Sequence, residues 1–354
     1  MSQNHNFFSN LAFNIAEINL GKTNKNPSVG CVIVRNDSVI SSAVTSVSGR
    51  PHAEYIALNK NINFKDAVMY VTLEPCAHFG LTPPCTNIIK KKKIKKVFYS
   101  FDDPDPRTNK MAKKVLKKVT KLKQTENKHK EFYNSYFFNK IDEFPLIDAK
   151  IAISKDFFTI NTKSKWITNS RSRKVAHLIR SKYNCIVSTS NSINKDNSLL
   201  NCRIDGLNKN KPNLIIIDRY LKLRKDLNLI NLTKKRKTYI FTLSKNEEKI
   251  SYFKKKKIRV IKLNSLENKE DFIKFFKKIF KIGQGRVLIE SGLILLNKLF
   301  RFKLINNLYL FKSKYLLKKK GKNNINIGFI KQLRRSKKLR VNLKNDELFK
   351  IKVK

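Results

Sequence analysis

The stretch YVTLEPCAHFGLTPPC, from Tyr70 to Cys85, decides the reading of this chain when it is taken together with PHAE, Pro51 to Glu54. Cys76 and Cys85 each follow a proline directly, with eight residues between them. The His52 imidazole and two thiolates make three zinc ligands and leave a fourth position for water, which is the catalytic rather than the closed structural pattern. Glu54 lies two residues past His52. At that offset a carboxylate approaches the fourth position without being a ligand, takes a proton from the water and passes it on. HAEYIALNK from His52 and the segment from Pro83 both read as helix starts, the second with proline at a tolerated position. The positive end of a helix favours a thiolate. His78, only two residues past Cys76, reads as a pocket-lining side chain. A lone cysteine is more often a buried thiol, but HAE, PC and PPC at helix starts outweigh that reading together.

Around this stretch helix and strand patterns alternate. Phe8, Leu11, Ala12, Ile15 and Ile18 recur at helical spacing. VGCVIV (Val29 to Val34) and VISSAV (Val39 to Val44) are strands, joined through RNDS as a tight hairpin. AVMYVTL (Ala67 to Leu73) and KVFYS (Lys96 to Ser100) are further strands, and KMAKKVLKKV from Lys110 a further helix. This predicts a three-layer α/β domain over residues 1–145. EFPLIDAKIAIS, from Glu143, opens a second α/β domain over 146–354. Its strands are expected at Cys185–Ser188, Asn213–Ile217, Thr238–Thr242, Ile258–Lys262 and Arg286–Ile289. Its helices are expected at Ser172–Ser181, Lys269–Phe280 and Leu293–Phe300. The lysine-rich end reads as a final strand or a loose tail.

Composition narrows the function. Apolar residues are 41% of 354, enough for two cores. The most apolar stretch, Leu293 to Ile305, is interrupted by Asn297, Lys298, Arg301 and Lys303, so no membrane span is expected. MSQNHNFFSN has no basic segment before an apolar one, so no secretory signal is expected. Five cysteines, an odd number, fit a reducing cytoplasm better than a disulfide framework. Lys and Arg number 77 against 26 Asp and Glu, a net charge of +51. Such a charge raises the alternative of a nucleic-acid deaminase or RNA-binding module. The lysines are spread along the whole chain, however, alongside abundant Asn and Ile that share A- and T-rich codons. They read as solvated faces, with no specific nucleic-acid partner.

Zinc deaminases carry H-x-E followed by P-C-x-x-C, with the glutamate as acid and base. HAE fits that pattern, and the long spacing between the cysteines departs from it. NPSVGCVIV (Asn26 to Val34), PHAE and TLEPCAHFGLTPPC resemble the pyrimidine deaminase of riboflavin biosynthesis, which has this long spacing. DDPDP (Asp102 to Pro106) is similar to that family's aspartate-proline repeat, while Leu81 stands where the family most often has a basic residue. The later order of AKIAIS, SKWIT (Ser164 to Thr168), CIVSTSNSINKDNSLLNCR, NLIIID and VLIESG resembles the bifunctional riboflavin deaminase–reductase. The resemblance spans about residues 7 to 315. It implies a cytidine-deaminase-like N-terminal domain and a dihydrofolate-reductase-like C-terminal domain.

It also implies zinc on His52, Cys76 and Cys85, with Glu54 catalytic and Asn26 at the substrate. NADPH would lie against Ala152, Trp166, Ser192, Asp196 and Gly292. A phosphorylated aminopyrimidine would meet Ser164, Arg180, Leu200, Arg203 and Glu290. Lys150 and Asp196 are the candidates for polarising and protonating the reduced sugar carbon. Arginine offers a planar fork for phosphate, and a glycine at a helix start lets N–H groups approach one. A homodimer or higher oligomer is expected. Where the family has a Ser-Leu-Asp-Gly turn this chain has Ser154, Lys155, Asp156 and Phe157, and Asp196–Asn197 replaces Asp-Pro. A deaminase with an impaired reductase half is therefore the second alternative.

Overall fold

The computed structural model describes residues 4–207, 212–324 and 337–354. Its contacts fall into two units that part between Phe144 and Pro145.

The first unit begins with α1 (His5–Ala16), capped by the Asn4 side chain, which accepts from the Phe7 N–H. β1 (Gly30–Arg35) and β2 (Ser38–Val44) follow as a hairpin. Asn36 and Asp37 both take positive φ, 50° and 56°, as a two-residue type I′ turn demands. Then come α2 (Ala53–Leu58), β3 (Val68–Leu73), α3 (Cys85–Lys91), β4 (Lys96–Phe101), α4 (Met111–Val115), β5 (Val119–Lys121), α5 (Lys123–Lys128) and α6 (Asn134–Ile141). The sheet runs β2-β1-β3-β4-β5, antiparallel on both sides of β1 and parallel from β3 onward.

VGCVIV is continuously apolar because both faces of β1 are covered. Cys31 and Ile33 pack with Ala53, Ala57 and Ile89, whereas Val32 and Val34 pack with Phe8 and Ala12. At Gly30 a Cβ would stand 1.9 Å from the carbonyl oxygen of Ala12, so only glycine lets α1 cross the sheet there. The helix expected from Lys110 is a single turn. Leu116 is already extended, and Val119–Lys121 pair with Val97–Tyr99, because β4 needs a neighbour more than the chain needs a second helical turn. The aromatic-rich stretch before Pro145 is helical where no element was expected. Its Tyr133 is buried, with its hydroxyl bonded to Thr72 at 2.5 Å and to the Ser28 carbonyl at 3.1 Å.

The second unit contains β6 (Leu146–Ile153), β7 (Phe158–Asn161), α7 (Ser170–Ser181), β8 (Cys185–Thr189), α8 (Ser190–Asp196), β9 (Asn213–Ile217), β10 (Thr238–Thr242) and α9 (Glu247–Lys255). It continues with β11 (Ile258–Lys262), α10 (Lys269–Lys281), β12 (Arg286–Ile289), α11 (Leu293–Arg301), β13 (Asn307–Lys312), β14 (Gly321–Asn324), β15 (Lys337–Lys338) and β16 (Glu347–Lys352). The main sheet has the order β11-β10-β9-β8-β12-β6-β13-β16-β15. Pairings from β11 to β13 are parallel, and β16 closes against β13 antiparallel. The five strands and three helices expected here are present. Helices α8 and α9 and strand β13 lie outside that expectation, and the lysine-rich end carries a strand rather than a loose tail. In an open parallel sheet, ligands bind beyond the carboxyl ends of the strands. Here those ends present Lys150, Ala152, Thr189 and Glu290. No helix among the described residues is long and apolar enough to cross a membrane.

Candidate functional site

In the first unit His52 is the N-cap of α2 and Cys85 the first residue of α3, so both stand where helical N–H groups lack internal partners. Cys76 sits just beyond the end of β3. Its Sγ accepts from the Cys85 backbone N–H at 3.2 Å. The ligand atoms of His52, Cys76 and Cys85 all lie within 4.8 Å of one another. His52 Nδ1 is 3.6 Å from Cys76 Sγ and 3.5 Å from Cys85 Sγ. Tetrahedral zinc with ordinary Zn–N and Zn–S bonds sets that edge at about 3.5 Å. The donor set therefore fits the metal in both kind and spacing. A hydrogen bond from the Cys85 side chain draws Cys76 toward the thiolate, while the same contact and burial push Cys85 up.

Glu54 is buried, and its Oε2 has no hydrogen-bond partner among the described residues. A buried carboxyl oxygen left unpaired is costly, and Glu54 lines the same cleft as His52 and Cys76. Burial pushes the Glu54 carboxyl up to about 7. Asn26 lines the same cleft, its Nδ2 donating to the Gly49 carbonyl at 3.1 Å. Gly49 has φ 93°, and a Cβ there would come within 2.7 Å of Asn26, so glycine is what sets that amide in place. His78 is in the lining too, bonded to Thr108 at 2.8 Å.

Sequence reasoning missed the wall opposite. Glu74 accepts from the N–H groups of Asp103, Lys110 and Ala112, tying the 103–112 loop to the end of β3. Asp105 then holds Arg107 at 2.6 Å and Lys140 at 3.0 Å. The DDPDP motif pointed at half of this pair. Nothing near it in sequence signals Lys140, which arrives on α6.

In the second unit Glu290 is buried just past β12. Arg180 reaches it with two N–H groups, at 2.5 and 2.9 Å, and Lys150 with one at 3.3 Å. Burial would raise this carboxyl, but Arg180 and Lys150 outweigh it and hold it down at about 2. Arg180 was expected to offer its fork to a substrate phosphate. Instead the fork is engaged by Glu290 and its remaining arm donates to the Asn201 carbonyl at 3.1 Å. A buried carboxylate is the stronger claim on a buried guanidinium. Arg203 is exposed, and its side chain donates to Asn201 Oδ1 at 2.7 Å. Leu200 is buried at φ 46° beside it.

Of the remaining expected positions, Ser192 and Gly292 come together. Gly292 opens α11, and its N–H donates to Ser192 Oγ at 3.1 Å. Ser192 Oγ also lies 3.1 Å from the Thr189 hydroxyl, which is 3.3 Å from that of Ser291. Hydroxyls gathered at a helix start suit the phosphates of a dinucleotide. Thr189 was not singled out in advance. Trp166 is half-exposed under the Arg173 guanidinium at 4.6 Å, and its N–H donates to Ser164 Oγ. Ala152 is half-buried on β6 and packs on the cluster of Phe311 and Ala176. Asp196 ends α8, its carboxyl raised by burial. Among the described residues it makes no hydrogen bond to Lys150 or Glu290. The turn that lacks its expected glycine does take positive φ: Phe157 stands at 68°, with its N–H donating to the Ser154 carbonyl. Asn197 is also left-handed, at φ 44°.

Residues 2–101 match the cytidine and deoxycytidylate deaminase zinc-binding region, and residues 145–339 match the RibD C-terminal domain. The chain is 32% identical over 291 residues to riboflavin biosynthesis protein RibD of Aquifex aeolicus, covering 80% of each. It is 32% identical over 319 residues to the same-named protein of Buchnera aphidicola, covering 86% of each. A solved structure of Acinetobacter baumannii RibD superposes with a TM-score of 0.82 at 25% identity over 98% of both chains. The architecture is accordingly a cytidine-deaminase-like unit followed by a dihydrofolate-reductase-like one. With both family matches, relatives of this identity and a zinc-fitting donor set in hand, the chain belongs to the RibD family of riboflavin biosynthesis, bifunctional enzymes that join a zinc-dependent deaminase to an NADPH-dependent reductase.

Proposed function

We propose that residues 1–145 hydrolytically deaminate 2,5-diamino-6-hydroxy-4-(5-phosphoribosylamino)pyrimidine. Residues 146–354 then reduce the ribosyl side chain to give 5-amino-6-(5-phosphoribitylamino)uracil. The observation that carries the first step is the tetrahedral spacing of His52, Cys76 and Cys85 beside an unpartnered Glu54 oxygen. Bound there, zinc supplies Lewis acidity and an acidified water. With zinc held by His52, Cys76 and Cys85, Glu54 would take one proton of the attacking water to a ring nitrogen and pass the second to the amine, which leaves as ammonia while the oxygen stays on the carbon. Asn26 orients the pyrimidine. The His52 and Cys85 helix starts favour the negative charge that the ligands bring.

In the second half NADPH, when bound, supplies the hydride. Ser192, the start of α11 at Gly292, Ala152 and Trp166 hold the cofactor. Glu290 fixes Lys150 and Arg180, and through Arg180 the 199–203 loop. Lys150 polarises the sugar oxygen and Asp196, kept protonated longer by burial, donates the proton. Ser164, Leu200 and Arg203 contact the substrate, with Arg203 on its phosphate. We read the chain further as a cytoplasmic homodimer or higher oligomer with no dedicated nucleic-acid surface. Supporting the absence of a dedicated nucleic-acid surface, basic residues occur on most elements rather than on one.

The test is the full chain with zinc measured, ammonia release followed, and NADPH oxidation recorded with the aminopyrimidine present and absent. Ammonia release, then substrate-dependent oxidation, is the expected result. A zinc-loaded protein that releases no ammonia would sink the assignment, and loss of oxidation alone would favour a deaminase with an impaired reductase half.

A further inference from the structure

Three cations line the deaminase cleft: Arg50, Arg107 and Lys140. Arg107 and Lys140 share one carboxylate, Asp105. Arg50 makes no ion pair among the described residues. Its Nη1 donates to Thr82 Oγ1 at 2.6 Å. Its Nη2 lies over Gly80, where an added Cβ would stand 3.7 Å from Nη2 and 3.8 Å from His78 Nε2. The guanidinium therefore reaches the chain on both sides of residue 81, and Nη2 has no hydrogen bond among the described residues. Leu81 itself is 89% exposed and is not part of the wall. Arg50 is also two residues before His52, which puts its charge at the rim of the metal centre.

We propose that Arg50 anchors the phosphate of the substrate in the deaminase cleft. It supplies from the 50–52 turn the positive charge that Leu81 cannot supply from the 78–82 loop. A planar guanidinium with one arm fixed by a hydroxyl and the other open is pre-oriented to take a phosphate oxygen. The proposal rests on the deaminase reading above.

Arg50→Met and Arg50→Lys are compared in the full chain, on the phosphorylated aminopyrimidine and on its dephosphorylated counterpart, with zinc content as the folding control. Arg50→Met should raise KM for the phosphorylated compound on the order of 10- to 100-fold, the loss of one charge-assisted contact. It should leave kcat within about threefold and the dephosphorylated compound unaffected, because catalysis does not use this contact. Arg50→Lys should recover part of the loss, and adding Leu81→Lys to Arg50→Met should recover more. Equal effects on both compounds, or none on either, overturn the anchor. Calorimetry of the phosphorylated compound with Glu54→Gln separates the two readings. Arg50-dependent binding in a wild-type chain that never deaminates would reject the chemistry and keep the anchor, whereas absence of binding rejects the anchor.

Discussion

The two sites differ in how far apart their parts lie in the chain. The metal corner draws on His52, Glu54, Cys76 and Cys85, all within one α-β-α segment, each near the end of a strand or the start of a helix. The charged centre of the second unit draws on Lys150, Arg180 and Glu290, the first and the last 140 positions apart. The first is a set of local signatures that the sheet brings to one point. The second exists only because β12 lies beside β6 and α7 packs nearby, a fact of sheet order. The corner is organised around a metal, whereas the triad is organised around its own buried carboxylate. Removing one group should therefore do different things in the two places.

The largest effect is expected at the corner. Cys85→Ser replaces a thiolate with a hydroxyl that stays protonated, so bound zinc should fall to background and deamination by more than about 1000-fold. Reduction of separately supplied deaminated product should persist. Assaying zinc and both half-reactions on one preparation checks this, and joint loss of both halves would break the contrast between the sites.

Next comes Glu290→Gln. Breaking a buried ion pair by deleting one partner costs about 3–5 kcal/mol, because Arg180 and Lys150 stay buried with no carboxylate between them. The pH dependence has a definite sign. The carboxyl is held at about 2 against an ordinary 4.5, so its contribution is fully present above about pH 4.5 and is lost as pH falls through 2. That contribution is on the order of 3 kcal/mol. Denaturant unfolding followed from pH 7 down to pH 2 should show a steeper acid loss in the unchanged protein than in the variant. Identical slopes would mean the triad contributes little.

These contrasts also explain what could be read in advance. The hairpin at Asn36–Asp37, the helix starts at His52 and Cys85, and the spacing of the ligands are local, and the sequence shows them. The ion triad does not appear in any window of sequence, so Arg180 read as an open phosphate fork. The Asp105–Lys140 pair failed to show for the same reason, and so did β13, whose apolar residues Leu308 and Leu310 alternate too briefly to stand out. The helix from Lys110 misled because lysines at helical spacing carry no information about which strand β4 will recruit.

The smallest expected effect sharpens the comparison at a place where the chain departs from its family. Phe157 holds φ 68° in the turn that leads from β6 to β7, where Asp156 accepts from the Leu317 and Lys318 N–H groups. A Cβ in left-handed backbone costs about 1–2 kcal/mol. The Phe157 ring, half-buried under Lys312 at 4.9 Å, offsets part of that. Phe157→Ala removes the ring and keeps the strained Cβ, whereas Phe157→Gly removes both. Glycine should therefore be the more stable of the two by about 1 kcal/mol, the reverse of their ordinary ranking, in which alanine gains from lower unfolded-state entropy. Paired denaturation midpoints measure the difference directly. If alanine proves as stable as glycine, the turn does not hold positive φ in solution, and this chain has rebuilt the β6–β7 connection rather than strained it.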